Sequence, residues 1–160
     1  MIYHLKNFKD KRICVVGLGY VGLTFAVTLA DIGFKVFGIE INQELLKSIK
    51  KGVPHFFEPG LDGTLKKVLK TKNLLISKQI PKSEVIDVFV ITVGTPIDKN
   101  KKTITEMIFN VSKEIASVLK DNDLIIFRST VEIGSTRKFV NKFLTKQIKN
   151  IKSLFVLREH

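Results

Sequence analysis

The residues Gly17-Leu18-Gly19-Tyr20-Val21-Gly22 place glycine at the first, third and sixth positions of a short run. Glycine at that spacing suits a backbone that must turn tightly, approach a ligand with no Cβ in between, and then open a helix packed close on a strand. The chemical group such a turn receives is a diphosphate, because the first N–H groups of a helix have no partner and carry partial positive charge. A carboxylate, Glu40, follows 23 positions after Gly17. At that distance it falls at the end of the next strand, where it would accept hydrogen bonds from a ribose 2′-hydroxyl and repel a 2′-phosphate. Together the two features imply NAD rather than NADP. The glycine pattern is weak alone and gains meaning where it follows a strand and opens a helix. The alternative for the same residues is a structural strand–helix turn with no ligand.

The flanking elements supply that context. Arg12 to Gly17 is a short β-branched run, and Val21 to Asp31 has the small and apolar residues of a buried helix. Lys35 to Glu40 reads as a second strand, and Gln43 to Lys51 as a helix with Asn42 as its N-cap. A loop with Gly52, Pro54, Pro59 and Gly60 leads to a helix over Leu61–Lys70 and a possible strand over Asn73–Ser77. Asp87–Val93 and Asp123–Ser129 are nearly continuous apolar runs, as expected for strands covered on both faces. Between them Thr103–Lys120 spaces Ile104, Met107, Ile108, Val111, Ile115, Val118 and Leu119 along one helical stripe. Ser135–Lys149 reads as a helix and Ser153–Leu157 as a last strand candidate. This alternation predicts an α/β fold: a Rossmann-type doubly wound parallel sheet of about six strands, helices on both faces, in the order 3-2-1-4-5-6.

Other candidate chemistry is weaker. The single cysteine, Cys14, lies inside an apolar strand, where a thiol behaves as a small hydrophobe and not as a nucleophile. His4, His55 and His160 lack ligand-like spacing, so no metal site is expected. Ser129 has no G-x-S-x-G context, so a hydrolase triad is unsupported. Phe56 and Phe57 could form a lid or a partner contact, and packing beneath their loop is the expected use.

The bulk composition is that of one soluble globular domain of 160 residues, with 44% hydrophobic and 26% charged residues. The expected domain is 1–160, with an ordered core over about 12–157. The net charge of +12 is scattered along helices and loops, with Lys99–Lys102 the one short cluster and no interleaved aromatics, so a nucleic-acid partner is not expected. No apolar run reaches the ~18–20 residues of a membrane span, and no secretory signal is evident. One cysteine and no signal fit the cytoplasm.

Five motifs in order then give a resemblance. Gly17–Leu23, Gly38-Ile39-Glu40-Ile41-Asn42, Glu58-Pro59-Gly60-Leu61, Val93-Gly94-Thr95-Pro96 and Ser129-Thr130-Val131 with Gly134-Ser135-Thr136 resemble the opening of the UDP-glucose and UDP-N-acetylmannosamine dehydrogenases. The similarity spans about Arg12 to Phe143. The resemblance implies an NAD-binding domain of an enzyme that oxidises C6 of a UDP-hexose to the uronic acid with two NAD. It implies coenzyme contacts by Val21, Glu40, Thr95 and Thr130, with Thr130 also in a supporting catalytic place. The expected cofactor-binding set is Gly17, Leu18, Gly19, Tyr20, Val21, Gly22, Glu40, Ile41, Gly94, Thr95, Pro96, Ser129 and Thr130. His55 and Phe56 lean toward the N-acetylmannosamine branch.

The chain departs from the family pattern in three places. Glu40 stands where Asp is usual, Arg128 where Lys or Glu is common, and Glu44-Leu45-Leu46-Lys47 stands where an Arg or Lys shortly after the acid often holds the adenosine end, so that contact is not carried over. The resemblance further implies a central helix, a sugar-binding domain with catalytic cysteine, lysine and asparagine, a UDP-sugar partner and a homodimer in the full-length enzyme. None of that later part is in these 160 residues, so this chain alone is expected to turn nothing over. A stand-alone NAD-binding regulatory module, or another Rossmann dehydrogenase, would carry the same glycine fingerprint.

Overall fold

The computed structural model describes residues 10–94 and 106–129 and the backbone of 154–156. Its elements run β1 (Arg12–Val16), α1 (Tyr20–Asp31), β2 (Lys35–Ile39), α2 (Gln43–Lys50), α3 (Leu61–Lys70), β3 (Leu74–Ser77), β4 (Val88–Ile91), α4 (Glu106–Ala116), β5 (Leu124–Phe127) and β6 (Leu154–Val156). The six strands form one sheet in the order β3-β2-β1-β4-β5-β6, and every neighbouring pair is parallel. This is the doubly wound arrangement expected from the alternation of elements. The helix expected over Ser135–Lys149 lies outside the described residues.

The apolar strands serve two cores because successive side chains point to opposite faces. On one face Ile13, Val15, Val36, Leu74, Ile76 and Val90 meet Leu23, Ala26, Val27 and Ala30 of α1, Leu46 and Ile49 of α2, and Leu61, Leu65 and Val68 of α3. On the other, Cys14, Val16, Phe37, Ile39, Phe89, Ile91, Ile125 and Phe127 meet Ile108, Ile115 and Ala116 of α4, with Ile80 and Ile86 from the connection between β3 and β4. Each fully buried Leu, Val, Ile or Phe contributes about 1.5–3 kcal/mol relative to exposure. A one-residue shift of β1 would exchange its two faces, so the register is strongly specified.

One local expectation holds in detail and three change. Asn42 caps α2, its side-chain oxygen accepting the Glu44 and Leu45 amides at 2.9 and 3.2 Å. Lys51, expected as the last helical residue, is the C-cap. The fourth helix ends at Ala116 and not at Lys120. There the Ser117 hydroxyl donates to the Glu114 carbonyl at 2.7 Å, the Val118 amide to Ile115, and the Asp123 carboxylate accepts the Lys120 amide. One side-chain donor, one side-chain acceptor and added i→i+3 bonds close the helix there.

Phe57 is the other correction: it is 89% exposed and does not pack beneath its loop, whereas Phe56 is half-buried against the α1–α3 core.

Strand order reverses at β1. The chain leaves β1 through α1 toward β2 and β3, then returns to the other side of β1 for β4 and β5. The connections after β1 and β4 therefore diverge and leave a crevice at the carboxyl ends of the strands.

Candidate functional site

The glycine turn bridges β1 and α1, and packing leaves little freedom at two of its three glycines. Gly17 has φ +92°, a left-handed value, and a Cβ there would lie 2.9 Å from the Val93 amide nitrogen at the end of β4. Gly22 lies in the first turn of α1, and a Cβ there would stand 1.8 Å from the Gly17 carbonyl oxygen. The carbonyl is held in turn: the Thr92 hydroxyl lies 2.7 Å from Gly17 O and 3.0 Å from Val16 O, sharing one proton between them. Thr92 thus fastens the end of β4 to the glycine turn.

Gly19 is different. Its φ is −64°, open to any residue, and a Cβ there would meet nothing within 4 Å. Nothing in the described protein requires glycine at this position. Gly19 is the N-cap of α1 and has no side chain to bond the helix start, and the amides of Tyr20 and Val21 have no acceptor among the described residues. Unpaired amides beside an open glycine are an arrangement suited to an anion.

Glu40 is only 8% exposed and lies at the end of β2. One carboxylate oxygen accepts the Leu18 amide at 2.9 Å and the other accepts the Asn42 amide at 2.9 Å. The extra methylene of Glu relative to Asp is thus used in reaching back to the glycine turn. Each oxygen retains a second lone pair for a further donor.

These groups border a cavity of about 310 Å³, lined by Val16, Gly17, Gly19, Ile39, Glu40, Ile41, Thr92, Val93, Gly94, Met107, Asn110, Val111 and Glu114. Its size is at the lower end of the range for small-molecule pockets, roughly 300–1,000 Å³. Of the expected residues, Gly17, Gly19, Glu40, Ile41 and Gly94 line it. Tyr20 and Val21 are exposed at the start of α1, and the Leu18 side chain is fully buried in the core, leaving its amide to hold Glu40. Ser129 is buried, its hydroxyl donating to the Val93 carbonyl at 2.7 Å and bracing the ends of β4 and β5. Thr95, Pro96 and Thr130 lie outside the described residues.

Sequence reasoning missed Thr92 and the α4 wall. Met107 and Val111 fell into the apolar stripe of that helix, and Asn110 and Glu114 on its polar side. The spacing 107, 110, 111, 114 marks one helical face, but periodicity does not reveal that this face overlooks the ends of β1 and β2.

The Glu58-Pro59-Gly60-Leu61 turn is tied to the same helix start. The Tyr20 hydroxyl donates to a Glu58 oxygen at 2.6 Å, and the Tyr20 and Phe56 rings lie 4.4 Å apart, with His55 edge-on to Phe56 at 4.8 Å. The bond to Glu58 and its negative charge raise the Tyr20 pKa, so the hydroxyl stays a donor. Gly60, at φ +79°, heads α3 in the left-handed conformation. Cys14 is wholly buried in mid-strand, and burial pushes its thiol pKa well above the ordinary value, with the Glu114 charge adding to the effect. It is no nucleophile at neutral pH. Among the described residues no helix is long and apolar enough to cross a membrane.

Comparison with known proteins agrees with this geometry. The chain is 36% identical over 136 residues to a UDP-N-acetyl-D-mannosamine dehydrogenase of Methanococcus maripaludis, covering 82% of this chain and 31% of the relative. It is 38% identical over 137 residues to the enzyme of that name from Campylobacter jejuni, covering 85% and 33%. The solved structure of the UDP-D-ManNAc dehydrogenase from Pyrococcus horikoshii superposes with a TM-score of 0.82 at 31% identity, covering 91% of this chain and 35% of that one. The chain spans about a third of the length of the curated relatives it matches. Residues 11–157 match the NAD binding domain of the UDP-glucose/GDP-mannose dehydrogenase family, and the chain belongs to that family.

Proposed function

We propose that residues 1–160 form one NAD-binding domain whose coenzyme lies across the crevice between the ends of β1 and β4. The diphosphate rests on the unpaired amides at the start of α1, over Gly19. The adenosine ribose donates to the free lone pairs of Glu40, beside Ile41. The open space at Gly19 beside the unpaired amides of Tyr20 and Val21 carries this reading, since a diphosphate would fill the space and pair the amides. When bound, NAD supplies hydride acceptance. The residues described here hold and orient it. Thr95, Pro96, Ser129 and Thr130 continue the site toward the nicotinamide end, on the strength of the family resemblance alone.

For the whole protein we propose oxidation of a UDP-sugar to its uronic acid with two NAD, in a cytoplasmic homodimer. The names of the relatives and the residues His55-Phe56 support UDP-N-acetylmannosamine as the substrate. Because Cys14 is buried, the nucleophile of that reaction is not in the described residues of this chain.

Cofactor choice tests the placement. A 2′-phosphate would bring negative charge against a carboxylate whose two nearest donors are already engaged. Titration calorimetry should show NAD binding at least about tenfold more tightly than NADP, ~1.4 kcal/mol. Equal affinities would remove Glu40 from its place beside the ribose.

A further inference from the structure

The cavity extends from the glycine turn into a slot between the end of β2 and helix α4. Ile39 and Ile41 stand on the strand side, and Met107, Asn110, Val111 and Glu114 on the helix side. Ile41 is 63% exposed and Met107 41%, unusual for large apolar side chains flanking a cleft. Two apolar walls suit a flat ring, and the slot begins beside Glu40, where the ribose is placed. At the other end of the helical stripe, two turns beyond Met107, comes one acceptor-only group, the carboxylate of Glu114.

Glu114 is held in position. One of its oxygens accepts the Ile80 amide at 2.9 Å, in a part-buried bond across 34 residues of sequence. Its other oxygen accepts no hydrogen bond from the described residues. Glu114 also borders the adjoining cavity lined by Ser77, Gln79, Ile80, Pro81 and Lys82, so it forms the partition between the two. Glu114 is half-buried at the border of walls to which Ile39, Ile41, Met107 and Val111 contribute, and a carboxylate oxygen that no described protein donor occupies accepts from a ligand that brings a donor and repels one that brings an acceptor. Asn110, one turn away, carries both a donor and an acceptor and does not discriminate.

We propose that Glu114 reads the base of the dinucleotide, accepting a hydrogen bond from an exocyclic amino group on the purine. It thereby selects adenine over a purine with a carbonyl at that place. Glu114 is a specificity-determining residue, and the proposal rests on the reading of the crevice as the NAD site.

The test compares NAD with nicotinamide hypoxanthine dinucleotide, which carries a carbonyl in place of that amino group and a proton on the neighbouring ring nitrogen, and differs nowhere else. Calorimetric titration of the 160-residue chain should show the hypoxanthine dinucleotide binding at least about tenfold more weakly, the effect of one charge-assisted hydrogen bond lost. Glu114→Gln keeps an oxygen for the Ile80 amide and turns an NH₂ toward the base. This variant should melt near the parent without ligand, and its preference should shrink to within about twofold or invert, because hypoxanthine offers an acceptor there. Equal affinity of the parent chain for the two dinucleotides overturns the role of Glu114 and leaves the site reading intact, a comparison that needs no variant. A variant that folds and keeps the full preference overturns it as well. Failure of NAD itself to bind overturns the site reading and this proposal with it.

Discussion

Gly22→Ala is expected to lower the stability of the domain by about 3 kcal/mol or more, the upper range for overpacking. A methyl group at Gly22 would stand 1.8 Å from the Gly17 carbonyl oxygen and 2.6 Å from the Thr92 hydroxyl. Neither neighbour yields easily. Gly17 is fixed by its left-handed φ, by its amide bonded to Ile39 O at 2.9 Å, and by the Val93 backbone, which stands where a Cβ would lie. Thr92 is held by its bond to the same carbonyl and by its amide on Val16 O. The first turn of α1 would have to lift from β1, opening the core around Leu23 and Ala26. For a domain of this length that cost lowers Tm by roughly 6–12 °C. Calorimetric melting without ligand checks it. A variant that melts with the parent would mean that the close approach of α1 to β1 is wrong.

Gly19→Val, three residues earlier, should behave in the opposite way. The backbone at Gly19 is extended and a side chain would enter open space, so stability should change by no more than about 1 kcal/mol, the range for an N-cap replacement. NAD affinity should fall at least about a hundredfold, ~2.7 kcal/mol, because the new side chain occupies the path by which a diphosphate approaches the amides of Tyr20 and Val21. Thermal melts with and without NAD separate the two effects: the unliganded transition stays, and the stabilisation by ligand disappears. Valine at Gly19 with the ligand shift intact would place the diphosphate elsewhere. Two glycines of one motif are thus distinguished, one required by the protein and one by what the protein holds.

Much of this was legible in the residues. Strand order followed from the alternation of apolar runs and helices, because continuous apolar strands demand cover on both faces and parallel pairing demands crossovers. Glu40 was legible as the acid at the end of β2 from its distance to Gly17. That its carboxylate is anchored by Leu18 and Asn42 was not, because a one-methylene difference from Asp matters only once the height of the glycine turn is known. Phe57 and the last turn of α4 were misread for a common reason. Hydrophobic character and period describe a preference for burial, whereas the position of a neighbouring element decides whether a surface exists to receive it. For Ser117 and Asp123 the deciding interactions are local side-chain bonds that compete with the helix. The α4 wall of the cavity required the registry of helix against sheet, which no single-chain pattern contains.

Amide nuclear magnetic resonance would show whether NAD lies across the β1–β4 crevice on the glycine turn. The ¹⁵N-labelled chain is titrated with NAD and the backbone signals are followed residue by residue. Bound NAD should shift the amides of Gly19, Tyr20, Val21, Ile41 and Asn110 in a saturable way. Those of Arg12, Lys35 and Leu74, at the opposite edge of the parallel sheet, should stay in place. Shifts gathered at that opposite edge, or a spectrum unchanged at millimolar NAD, would contradict that placement.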